Sequence, residues 1–62
     1  MKSHFLVTYK ISENTFCINV VIASSRECVE RHYSGYKKID IREANEWELE
    51  LARQQGISFI EV

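Results

Sequence analysis

Two stretches near the start of the chain alternate apolar and polar positions with a period of two. Residues 4–11 and 16–22 are rich in Val, Ile, Phe, Tyr and Thr, side chains that fit a half-buried pleated surface, and both read as strands. Between them Ser12-Glu13-Asn14-Thr15 has the composition of a tight turn. A loop centred on Glu13-Asn14 pairs Ile11 with Phe16, Tyr9 with Ile18, Val7 with Val20 and Phe5 with Ile22. Directly opposed residues share a face, so this register predicts all eight on one side of the ribbon. The other side then holds Lys10 with Cys17, Thr8 with Asn19, Leu6 with Val21 and His4 with Ala23.

The pattern next changes to helical spacing. Ser24 and Glu27 stand at the separation of a capping box, in which a hydroxyl and a carboxylate each satisfy an otherwise orphaned amide. A helix of about ten residues is predicted from there, ending at Ser34-Gly35, with Gly35 free to take the left-handed cap conformation. Its apolar stripe is thin: Cys28, Val29, His32 and Tyr33. Residues 36–43 read as a third strand, with Ile39 and Ile41 inward and Lys38, Asp40 and Arg42 outward. Residues 46–51 alternate as a strand would. Asn45 and Glu48 nevertheless form a second capping box, strong helix formers follow, and Gly56 supplies a stop, so the segment is assigned to a helix. On that helix Ala44, Trp47, Leu51, Ala52 and Gln55 share one side and Leu49 falls off the stripe. Residues 57–62 close as a strand, apolar on both faces.

The element order is therefore ββαβαβ in a single domain over residues 1–62. The fold class is α+β, a small two-layer domain whose mixed four-stranded sheet carries both helices on one face. That packing leaves Leu6, Val21, Ile60 and Val62 on an uncovered face, and with Leu49 they form an expected interaction patch. A chain of this size buries only about 60% of the surface its unfolded form exposes, so a partner would add needed stability. Binding of a protein partner, or pairing as a homodimer through the open sheet face, is the function this reading favours.

Composition adds limits. The 62 residues are 45% hydrophobic, enough to exclude a disordered tail. The net charge of −1 gives no global attraction to nucleic acid or to an anionic membrane. Charge is uneven, however: residues 1–38 carry six Lys and Arg against three Glu, and residues 39–62 two Arg against six acidic residues. Arg26, Arg31, Tyr33, Tyr36, Lys37 and Lys38 cluster in the basic half. Phosphate contacts with aromatic stacking there make nucleic-acid binding the alternative expectation. No apolar run approaches a membrane span, and Met1-Lys2-Ser3-His4 leads into a strand rather than a signal sequence, so a cytoplasmic location with free thiols is expected.

Candidate chemistry is sparse. Cys28 and His32 are spaced to face one way on a helix, and Cys17 or His4 would add a third metal ligand. The hairpin register places Cys17 and His4 away from the helices, which argues against both zinc and a Cys17–Cys28 disulfide. His4 and His32 are the only imidazoles, and no pattern sets a nucleophile beside either. Glu46, Glu48 and Glu50 read as a solvated helix start, and the two glycines are too far apart to cradle a phosphate. Neither catalysis, cofactor nor metal is expected. In size and in its proline-free style the chain is similar to small accessory proteins of bacterial mobile elements, a likeness that assigns no residue a role.

Overall fold

A computed structural model describes residues 1–36 and 39–62. Six elements follow in order: β1 (Ser3–Ser12), β2 (Thr15–Ala23), α1 (Arg26–His32), β3 (Ile39–Glu43), α2 (Glu46–Gln54) and β4 (Phe59–Glu61). This is the ββαβαβ α+β domain with a mixed four-stranded sheet that the sequence predicts.

The hairpin begins as its turn chemistry requires, with Ser12 paired to Thr15 across Glu13-Asn14. The ladder then slips at Ile11. Lys10 pairs with Phe16, and from there Tyr9 opposes Cys17, Val7 opposes Asn19, Leu6 opposes Val20 and Phe5 opposes Val21. A bulge spends one extra residue of β1, and a one-residue slip exchanges the two faces of β2 relative to β1. The register expected from alternation is therefore corrected along nearly the whole ribbon. Val21 and Ala23 join Phe5 and Val7, while Phe16, Ile18, Val20 and Ile22 turn to the other side with Leu6.

The strand order is β3-β1-β2-β4. β2 and β3 both run antiparallel to β1, and β4 runs parallel to β2. Each helix is thus a crossover between parallel strands. α1 carries the chain from β2 past β1 to one edge, and α2 carries it back past β1 and β2 to the other. Right-handed crossovers that travel in opposite directions place their helices on opposite faces.

The side chains agree. α1 buries Val29 and Tyr33 against Phe5, Val7, Val21, Ala23 and Ile41. α2 lies over the reverse face, where Glu48 ion-pairs with Arg42 of β3 and the Arg53 guanidinium sits 5.5 Å from the Phe59 ring of β4. Ala52 and Val20 are buried on that side. The expected placement of both helices on one face is corrected to three layers, because β2 is apolar on both faces and each needs a cover.

Local signals set the helix ends. Ser25, one residue later than expected, caps α1 by accepting the Cys28 N–H at 3.3 Å. The helix stops at seven residues, and Gly35 keeps a negative φ. In α2 the expected capping box is complete: Glu48 N–H donates to Asn45 Oδ1 at 2.9 Å, and Asn45 N–H donates to Glu48 Oε1 at 3.1 Å. Gly56 ends the segment at φ 73°, the left-handed region that favours glycine. The rotation of α2 differs from the expected stripe. Glu48, Leu49 and Ala52 face the sheet, whereas Trp47 is 71% exposed. The cap and the Arg42 ion pair hold Glu48 toward the sheet, and Leu49 follows it.

Candidate interaction surface

The expected patch of Leu6, Val21, Leu49, Ile60 and Val62 does not assemble. Val21 is fully buried beneath α1, Ile60 opposes it across β4, and Val62 packs on the same core. Leu6 and Leu49 belong to the opposite layer, half-buried between sheet and α2. The one-residue slip at Ile11 is the cause, since it moves Val21 from the outer face to the inner one.

The same slip exposes a different set. Phe16 and Ile18 point to the α2 face of the sheet, at the hairpin end beyond the helix, and are 57% and 44% exposed. Phe59 opposes Val20 and so lies diagonally beside Ile18, also exposed. The three make an apolar strip across β2 and β4. Next to it, Thr8, Phe16, Ile39 and Asp40 line an open hollow. Lys10 flanks the strip, its Nζ 5.8 Å from the Phe16 ring. Sequence reasoning missed this surface because it assigned Phe16 and Ile18 to the helix-covered side.

The basic and aromatic cluster divides. Tyr9, Tyr33 and Tyr36 form a ring group with centroids 4.6 to 5.6 Å apart. Tyr33 is only 3% exposed, so its ring is a core group with no face left for a stacked base. Burial raises its pKa above the ordinary value, against the lowering effect of the Asn19 hydrogen bond. Tyr36 remains exposed. Arg26 is engaged with Glu30 at 3.5 Å. Lys37 and Lys38 lie outside the described residues.

One polar constellation escaped the sequence reading. The Cys28 thiol receives a hydrogen bond from Ser25 Oγ at 3.4 Å, lies 3.5 Å from Ser24 Oγ and has Arg31 Nη2 at 3.9 Å. The Ser24 and Ser25 hydroxyls lower its pKa most, desolvation opposes them, and the Arg31 guanidinium adds a lesser lowering effect. The run Ser24-Ser25-Arg26-Glu27-Cys28 at a helix start was the available signal. His32 instead packs edge-on against Tyr33, with centroids 4.9 Å apart. Both cysteines are free thiols, and Cys17 lies on the α1 side of the sheet, contrary to expectation.

Among the described residues no group of three His, Cys, Asp or Glu side chains is arranged to hold a metal ion. Among them, too, no helix is long and apolar enough to cross a membrane. No family model matches the chain, and neither the curated proteins nor the solved structures contain a match.

Proposed function

We propose that this domain is a non-catalytic protein-interaction module, an accessory or regulatory factor that docks a partner on the Phe16–Ile18–Phe59 strip. One observation carries the reading: three large apolar side chains stand exposed side by side on a sheet face whose neighbouring residue, Val20, is fully buried. Contiguous apolar surface of this kind is characteristic of association sites, whereas scattered exposed residues are not. The strip sits on paired strands, so a partner would meet a preorganised surface and little ordering entropy would oppose binding.

Affinity capture with the wild-type chain and with an Ile18→Asp, Phe16→Ser double variant tests this. Circular dichroism should show both folded alike, because both positions are exposed. Loss of the wild type's bound partner from the variant is the expected result; identical partner sets would reject the strip as the docking site.

Nucleic-acid binding through Arg26, Arg31, Tyr36, Lys37 and Lys38 is the alternative. It draws support from the exposed Tyr36 ring within a locally basic segment. A low-salt gel shift separates the two readings.

A further inference from the structure

Among the described residues, the outer edge of β3 is an unpaired row of backbone groups. Among them β3 pairs with β1 alone, and the Ala44 N–H donates to the His4 carbonyl at 3.0 Å. Successive residues of a strand direct their backbone groups to alternate sides. Asp40, Arg42 and Ala44 therefore turn theirs toward β1, and Ile39, Ile41 and Glu43 turn theirs outward. Such an edge is a template for another strand.

We propose that two copies of the chain pair antiparallel along this edge, joining their sheets into one of eight strands. The sequence of β3 selects both the partner and the register. With Ile41 opposite Ile41 of the second copy, Ile39 meets Glu43 and Glu43 meets Ile39. All three outward-facing pairs then exchange both of their hydrogen bonds. Asp40 and Arg42 point to the α2 face at the intervening positions, where opposed side chains approach most closely. In this register each Asp40 faces an Arg42, twice over. Sliding two residues one way sets Asp40 against Asp40; sliding two the other way sets Arg42 against Arg42. A one-residue slide sets outward-facing groups against inward-facing ones and forfeits the hydrogen bonds.

Charged residues on an edge ordinarily deter pairing with stray strands. Here the alternation of sign deters other partners and fits a second copy of itself. The contact is isologous, so two-fold symmetry closes it at a dimer. Ile18 and Phe59 lie on β2 and β4, away from this edge, and substitutions at those two positions leave this equilibrium unchanged, whereas Phe16 shares its hollow with Ile39 and Asp40.

Sedimentation equilibrium of the intact chain, up to roughly 0.5 mM, tests the pairing against charge. The wild type should show a monomer–dimer equilibrium. Asp40→Arg and Arg42→Asp should each weaken it about tenfold or more, since two attractive pairs become repulsive. Mixing the two single variants should restore dimers, because one strand is then basic and its partner acidic at these positions. The Asp40→Arg, Arg42→Asp double variant should likewise pair with itself. Circular dichroism confirms folding, and the mixing result holds even where loss of the Arg42–Glu48 contact loosens one variant. A wild type that stays monomeric throughout, or a dimer indifferent to all three charge patterns, would overturn the proposal.

Discussion

The Asn19 side-chain amide donates to the hydroxyl of Tyr33 at 3.2 Å, tying the middle of β2 to the end of α1. The same nitrogen donates to Tyr9 at 3.0 Å. It therefore provides for a phenol carried into the core, where an unmatched hydroxyl costs more than a hydrogen bond contributes. Asn19→Leu should lower stability by about 1–3 kcal/mol in urea denaturation. Adding Tyr33→Phe should cost less in that background than in the wild type, since the stranded hydroxyl is gone. Strictly additive losses would mean the two groups are uncoupled.

Acid should loosen the α2 end before the hairpin. Glu48 is held below its ordinary pKa of 4.5, first by the Asn45 N–H and then by Arg42. Glu61 is lowered likewise by Lys2, whose Nζ lies 2.6 Å away. A carboxylate with a depressed folded pKa stabilises the fold above its unfolded value, and that contribution disappears as pH falls through the folded pKa. Amide protection factors, taken against the intrinsic rate at each pH, should fall in α2 and β4 over that window below pH 4.5 while β1 and β2 stay protected. At neutral pH, Asn45→Ala should remove about 1 kcal/mol and raise exchange selectively in α2.

Val21 and Ile18 test the register directly. Ile18→Asp places a charge on exposed surface and should leave the thermal midpoint nearly unchanged. Val21→Asp places one in the layer under α1, at a cost of several kcal/mol that a 62-residue domain cannot absorb. A folded Val21→Asp chain would restore the unbulged pairing.

Cys28 should alkylate faster than Cys17 near neutral pH, because two hydroxyls and Arg31 favour its thiolate. Ser25→Ala should slow that reaction, as read by mass spectrometry of iodoacetamide-treated protein. Equal rates at the two thiols would show that the hydroxyls have no effect.

Signals that act over three or four residues were legible in the sequence. Asn45 with Glu48 and the stop at Gly56 identified α2 despite the strand-like alternation of residues 46–51. The turn at Glu13-Asn14 was legible for the same reason. The faces of β2 were not. Val20-Val21-Ile22-Ala23 is apolar at every position, so alternation could not choose which side belongs to the core. An unbroken run of this kind is itself the mark of a strand covered on both faces. The bulge at Ile11 carries no residue signal of its own. Helix placement depended in turn on strand order, which joins β2 to residues far along the chain. The expected patch of Leu6, Val21, Leu49, Ile60 and Val62, inferred from the faces, inherited their error.

The pairing of Val20 with Phe59 has a kinetic consequence. Closing a loop that spans more than half the chain carries an entropic cost which the adjacent hairpin avoids. Assembly should therefore start in the first two strands, gather α1 and β3 over β1, and finish when β4 arrives. Until then one side of β2 stands bare, and an incompletely folded chain presents Val20 and Ile22 to the first chaperone, protease or sister chain it meets.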